Sequence, residues 1–369
     1  MIIYFAVPFI ALLEGGALCF NKGGINRKNI NTKLFLAVVF ILPIVIFAFR
    51  DNSIGIDTNV YVKEFEQIGQ IPFWDIISKK YNGNIINDVE VGFSIMNWSI
   101  AKISISPKFF LLVTALIMNL LYARAIYFLS PMPLTSTLAY FFLSNFLYNL
   151  NVMRQGIAAG IILNAVIFLA EKRFIKYSIL VFIASLFHSF SVAFFFMIIP
   201  IILVKSKKTL ITVVISVFFA ILYSLDIVHI IVSKYFPHFE YYFRNNYHSN
   251  QRFGITSTAY VFLDIIIILM LVSKFKKEKE ESNLIIVCTV ALAMGAASLI
   301  MMPVFGIYER VSKFFHSFIM IAMAYALNGI QNRRDKYVLN CIGIGCSFVY
   351  YAYIILIDAY QIVPFLFYE

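Results

Sequence analysis

The run LFLAVVFILPIVIFAF, residues 34–49, ends at a single step and gives way to RDNSIGIDTNVY, residues 50–61. The first stretch carries no charge and, as a helix, approaches the roughly 20 residues that cross a hydrocarbon core. The second holds Arg50, Asp51, Gly55 and Asp57. A chain that leaves the apolar phase so abruptly, and stays largely polar over 50–108, lays a long loop on a membrane surface.

The rest of the chain agrees with a membrane setting. Of 369 residues, 61% are hydrophobic and 13% charged, where a soluble domain carries roughly a quarter charged. Mean hydropathy is +0.85. In lipid every span must close its own backbone hydrogen bonds, and the alternation of a membrane barrel is absent, so helices are predicted. Candidate spans are 2–20, 34–49, 109–129, 134–150, 152–170, 175–187, 189–204, 209–233, 257–273, 284–302, 311–329 and 338–360. The expectation is an all-α, polytopic transmembrane bundle of eleven or twelve spans forming a single integral membrane domain, 1–369. The loop 50–108 holds short interfacial helices, TNVYVKEFEQI and VEVGFSIMNWSIAKI, and 234–256 forms a second outer loop.

The net charge of +11 suggests nucleic acid and is better explained otherwise. The basic residues cluster between apolar runs, in NKGGINRKNINTK, EKRFIK, KSKK, KFKKEKEES and NRRDK. A cytoplasmic bias of lysine and arginine accounts for them without a nucleic-acid partner. Threading the chain so that every cluster lies inside puts both termini outside. It also requires 175–204, flanked by Lys176 and Lys205, to go out and return, turning at FHSFS. The N-terminus MIIYFAVPFI lacks the basic start and cleavage site of a signal peptide and reads as a retained span. Cys19, Cys288, Cys341 and Cys346 lie in apolar runs without metal-ligand spacing and read as small buried hydrophobes. The histidines form no metal set, no Walker-type loop is present, and no cofactor is expected.

Of the arginines on the outer side of this threading, four are notable: Arg50, Arg154, Arg244 and Arg310. Arg154, in NLNVMRQGIAAGI, opens a span. There a helix N-terminus with unpaired N–H groups and a guanidinium together make an anion cradle, particularly for phosphate. The alternative is an arginine snorkelling to the interface. Gln155 adjoins it, and Gly156 and Gly160, four apart, allow a neighbouring helix close approach. Asp57 and Glu90 are carboxylates of the long loop, each either a solvated charge or a general base toward a hydroxyl. Gly55 implies a tight turn that fixes Asp57. His188 lies at the turn of the 175–204 hairpin, as a structural hydrogen-bonding group or as a functional one. Glu14 and Asp264, inside spans, call for partners within the bundle.

In this order and spacing RDNSIGIDTNVY, VEVGF, NLNVMRQGIA and IASLFHSFSVAFF resemble the EpsG-like branch of the Wzy-type polysaccharide polymerases, over roughly residues 34–330. YERVSKFF, with Arg310, is similar to the family's last arginine element. The resemblance implies a GT-C-like glycosyltransferase of the bacterial inner membrane, working on its outer face. Its substrates would be undecaprenyl-diphosphate-linked oligosaccharide repeat units for O-antigen, capsule or exopolysaccharide, and a chain-length regulator would be a partner. On this reading Arg50, Arg154, Gln155, Arg244 and Arg310 bind diphosphate, and Asp57, Glu90 or His188 supplies the base. Rivals are a lipid-linked-glycan flippase, an O-antigen ligase and a membrane O-acyltransferase. The flippase is disfavoured by the lack of an internal repeat and by the long loop.

The threading is checked by reporter fusions. Fusions after Gly69, Asn246 and Ile307 should read external, and fusions after Lys172, Lys277 and Arg334 cytoplasmic. An external signal after Lys205 would make 175–204 a single crossing and invert all that follows.

Overall fold

The structure is a computed structural model, and it describes residues 2–20, 29–78, 89–143, 145–235, 253–276, 282–303 and 306–367. The described residues form helices, with no strand among them beyond one isolated bridge between Arg50 and Phe367. They fall into two compact units. The first comprises 1–167, 175–194 and 337–369; the second comprises 168–174 and 195–336.

The first unit begins with α1 (Ile2–Phe20), α2 (Ile30–Val39) and α3 (Ile41–Phe49). The Asn29 side chain opens α2 by accepting the Thr32 N–H at 2.7 Å. Pro43 lies inside α3. It has no N–H for the Val39 carbonyl and crowds that turn, which is where the 30–49 helix bends between α2 and α3. The polar loop then supports α4 (Thr58–Ile68), α5 (Phe73–Ser78) and α6 (Val91–Ile103), so the short helices expected in the loop are present. Next come α7 (Pro107–Leu129) and α8 (Pro133–Phe142), each with proline in its first turn, where the missing N–H is harmless. They are followed by α9 (Asn145–Asn151), α10 (Met153–Ala170) and α11 (Phe174–Ser185). The run expected to span at 134–150 is thus two short helices, α8 and α9, the second rich in asparagine.

Two glycines of α10 make its packing on α7 possible. A Cβ on Gly156 would lie 2.6 Å from Met118 Sδ, and one on Gly160 would lie 2.8 Å from Leu121 Cβ. This is the close approach the small-xxx-small spacing implied. The reversal within 175–204 is also present. The Tyr177 hydroxyl donates to the Phe194 carbonyl at 2.6 Å. Seventeen residues of straight helix would separate them by about 25 Å, so the chain folds back at 186–188.

The second unit holds α12 (Ile198–Leu203), α13 (Lys207–Tyr235), α14 (Ile255–Lys274), α15 (Ser282–Met301), α16 (Ile307–His316) and α17 (Ile319–Asn328). The final helix, α18 (Arg333–Leu356), begins in this unit and ends in the first. In α15 the small side chains of Ala291, Ala293, Gly295, Ala296, Ala297 and Ser298 let neighbours close in, and 89% of its apolar window is buried. The stretch 311–329 divides at Ser317 into polar, amphipathic α16 and apolar α17. Glu309, Arg310 and Lys313 on α16 account for that division.

Among the described residues, six helices are long and apolar enough to cross a membrane: 30–49, α7, α10, α14, α15 and α18. The chain is a multi-pass membrane protein. Asp264 does find a partner in the bundle, accepting from or donating to His316 Nε2 at 2.6 Å with both side chains buried. Glu14 is half-buried on α1 and makes no ion pair with a described residue. Cysteine burial holds for Cys288 alone of the three described side chains; Cys341 and Cys346 are exposed. They lie on α18, whose apolar window is only 22% buried, so an apolar residue there meets lipid as readily as protein.

The α7–α10 contact gives a direct test. Gly160→Ala drives a methyl into a neighbouring Cβ and should cost about 1–3 kcal/mol, lowering the midpoint of thermal unfolding in detergent. At Gly345 an added Cβ meets nothing within 4 Å. Gly345→Ala should therefore leave the midpoint unchanged or raise it, by about 0.5–1 kcal/mol.

Candidate active site

The loop after α3 is held in one conformation by its own polar groups and by α9. Gly55 has φ +93, a left-handed value that a side chain would strain. A Cβ there would also lie 2.8 Å from the Asn151 side-chain oxygen. That oxygen accepts the Ile56 N–H at 2.6 Å, while the Thr58 hydroxyl donates to the Ile54 carbonyl at 2.6 Å. Asp57, half-buried, sits at the N-terminal boundary of α4 without capping it through its side chain. The expected tight turn before Asp57 is therefore real, and Asn151 is the group that fixes it.

Glu90 joins three separate stretches of chain. One carboxylate oxygen receives Arg154 Nη1 at 2.8 Å, and the other accepts the Ser189 N–H at 3.2 Å. The start of α6 is pinned to the same turn, because the Gly92 N–H donates to the Leu186 carbonyl at 2.8 Å. A Cβ on Gly92 would lie 2.7 Å from that carbonyl oxygen. Arg154 also hydrogen-bonds the Tyr61 hydroxyl, and its guanidinium carbon lies 5.6 Å from the Tyr61 ring centroid. Arg154 and Glu90 keep 24% and 19% of their side-chain surface exposed, so the pair is sheltered yet accessible. Next to Arg154, Gln155 is buried and accepts the Tyr148 hydroxyl at 3.2 Å.

Tyr61 is the centre of the charges here. Burial pushes its phenol up to about 12; Arg154 pulls the other way, and Asp57 and Glu64 add to the rise. It therefore remains a neutral hydroxyl at physiological pH, able to donate or accept. Arg50, just past α3, interacts with Tyr61 and Tyr4, and its guanidinium stands 4.3 Å from the Phe47 ring centroid. It is fully buried, and none of its three guanidinium nitrogens has a hydrogen-bond acceptor among the described residues. Burial pulls Arg50 down to about 9, which still leaves it cationic near neutrality.

The residues expected from sequence thus divide. Arg50, Asp57, Glu90, Arg154 and Gln155 gather at one end of the first unit, joined there by the His188 turn. His188 is half-buried and stacks on Phe190 with ring centroids 5.5 Å apart. Arg310 lies on α16, in the second unit, and Arg244 lies outside the described residues. Two members were missed. Tyr61 was read as part of a motif without a role. Glu64 is 3% exposed although it is a carboxylate. Its signal was available, since it lies on the same helical face as buried Tyr61 and Ile68, three residues after one and four before the other.

This arrangement brings cations, carboxylates and a neutral hydroxyl together in one unit of a membrane protein, the equipment for moving a proton beside an anionic group. That defines the class: a multi-pass membrane protein with a sheltered cluster of charged side chains. The chain belongs to the EpsG family, whose model matches residues 33–367. Membership suggests a polysaccharide-polymerase-like role. No curated protein matches the chain, and no solved structure does either.

The ion pair at this site is open to measurement by a double-mutant cycle on thermal unfolding. Glu90→Gln and Arg154→Gln should couple by about 0.5–3 kcal/mol, as contacting network residues do. The exposed pair Arg173–Glu171, 3.1 Å apart with 48% and 51% of its surface exposed, should couple by less than about 0.5 kcal/mol.

Proposed function

We propose that this protein joins polyprenyl-diphosphate-linked oligosaccharide repeat units on the outer face of a bacterial inner membrane. The observation that carries the reading is the meeting of all four motif stretches through Arg154–Glu90, Glu90–Ser189, Arg154–Tyr61 and Asn151–Ile56. A hydroxyl of the acceptor glycan attacks the anomeric carbon of the donor. The carbon–oxygen bond to diphosphate breaks, and the lipid diphosphate leaves with the electron pair. The proton of the attacking hydroxyl passes to a carboxylate.

Asp57 is the better base of the two loop carboxylates. Glu90 is committed to Arg154 and a backbone N–H, and Asp57 is half-buried at a rigid turn, close enough to Tyr61 to raise its phenol. The guanidiniums neutralise the charge growing on the leaving diphosphate, where a fixed donor in a sheltered site acts most strongly. The lipid–diphosphate bond itself supplies the driving force. Tyr61 would carry hydrogen bonds between the arginines and the carboxylates without changing charge.

The test is the surface-glycan ladder in a strain carrying each variant at matched protein level. Loss of the protein should leave single repeat units on the glycan core; a core with none would indicate a ligase or a flippase. Asp57→Asn should abolish the ladder. Arg154→Lys keeps the charge but loses the planar fork, and should cost about 3 kcal/mol at the transition state, roughly a hundredfold in rate. The ladder would collapse toward single units. Arg334→Lys, at a cytoplasmic basic cluster, should leave it intact. A full ladder from Arg154→Lys would return Arg154 to the role of an interfacial anchor.

A further inference from the structure

After α18 the chain runs back along the loop that carries Arg50. Residues 358–367 form a strap tied down on both flanks. Asp358 and Gln361 adopt left-handed φ values of 47 and 52. The Asp358 carboxylate accepts the N–H groups of Ile362 and Val363 at 2.7 and 3.1 Å. On one flank the Tyr4 hydroxyl donates to the Ile362 carbonyl at 2.9 Å, and the Phe365 ring meets Tyr4 edge-on at 5.7 Å. On the other, Gly55 N–H donates to the Gln361 carbonyl at 2.8 Å and Asp51 N–H to the Leu366 carbonyl at 2.9 Å. Arg50 itself bridges to Phe367.

The strap thus runs beside Arg50, whose fully buried guanidinium has no acceptor among the described residues. A guanidinium presents five donors in a fixed fork, and a buried cation without an anion is strongly disfavoured. The neighbours found here do not answer that need: Phe47 offers a ring face, Tyr4 gives its hydroxyl to the strap, and Tyr61 is shared with Arg154. Arg154 differs because Glu90 already satisfies it. Two guanidiniums that interact with one tyrosine, one neutralised and one waiting, suit an anion with two adjacent charged groups. The strap is anchored by buried Tyr360 and Ile362, and its far end is lightly held. Leu366 and Phe367 are 49% and 61% exposed, and a few main-chain hydrogen bonds hold it to the loop.

We infer that Arg50 is the receptor for a phosphate-type anion of a diphosphate group, and that residues 358–367 are its cover, displaced to admit the anion. The naming of diphosphate rests on the polymerase reading; the need for an anion rests on Arg50 alone. The cover explains how a cation required for substrate can be shut off from water when no substrate is present. It also gives the C-terminal segment a part in the site.

Binding to the purified full chain in detergent tests this without any sugar transfer. The probes are a polyprenyl diphosphate, the corresponding polyprenyl alcohol, and inorganic diphosphate. Asp51 and Leu366 lie opposite each other beside the Arg50–Phe367 bridge, so the double variant D51C/L366C can be locked by oxidation and freed by reduction. The oxidised form should bind the polyprenyl diphosphate at least about tenfold more weakly than the reduced form, and neither single-cysteine variant should respond. Arg50→Gln should weaken binding by about tenfold or more, the loss of a charge-assisted pair. Competition by inorganic diphosphate would identify the bare anion as sufficient; its failure to compete would identify the lipid headgroup as the ligand. Equal binding by the locked and freed forms would overturn the cover. Equal binding of alcohol and diphosphate, or undiminished binding by Arg50→Gln, would overturn the receptor. A chain that passes these tests yet builds no glycan contradicts the polymerase reading and leaves this inference standing.

Discussion

The Glu90–Arg154 ion pair is the contact on which this architecture turns. It joins residues 64 positions apart, and through its second oxygen Glu90 reaches the backbone of Ser189, a further 35 positions along the chain than Arg154. Main-chain bonds such as Gly92 N–H to the Leu186 carbonyl add to it, but the ion pair is the charged contact that ties α6 to α10. Apolar surfaces slide readily in lipid, where burial of a leucine against a neighbour gains little over burial against a tail. A charged hydrogen bond has one geometry, and it fixes α6, α10 and the 186–189 turn relative to one another.

Around that fixed point the site separates its charges by environment. Arg154 is paired and partly open, Arg50 is buried and unanswered, and Tyr61 between them stays neutral. This division matters chemically. A single arginine that both held the fold and received the substrate would have to break its structural pair at every turnover. On the proposed reading Arg154, near the start of α10, keeps its pair with Glu90 while its remaining donors serve the leaving group, and Arg50, at the end of α3, is left to receive the anion.

Much of this could be read from the sequence, because lipid imposes strict patterns. The apolar runs give helices, the glycines of α10 give its approach to α7, and the basic clusters flanking 175–204 give a reversal that the Tyr177–Phe194 bond bears out. Runs such as 134–150 and 311–329 were harder. Their mean composition is apolar, and the breaks depend on asparagine-rich α9 and on the charges of α16. At the site, charged residues beside apolar runs and glycines are conspicuous, and the structure brings Arg50, Asp57, Glu90 and Arg154 near one another. Asn151, Tyr4 and the 358–367 strap are not conspicuous, since each acts through a long-range main-chain hydrogen bond that no local pattern encodes. Glu64 is a different case: it is one of two acids in a polar helix, and its three- and four-residue spacing from Tyr61 and Ile68 already marks it as inward-facing.

The central claim is that this site makes glycosidic bonds at the expense of a lipid diphosphate. It is tested most directly with the purified protein in vesicles of defined lipid, supplied with one polyprenyl-diphosphate-linked repeat unit and no nucleotide. Mass spectrometry of the products should find glycans of two or more units on lipid, together with one free polyprenyl diphosphate for each new linkage. Repeat units that change leaflet while remaining single, with no diphosphate lipid released, would contradict the account and identify a carrier in its place.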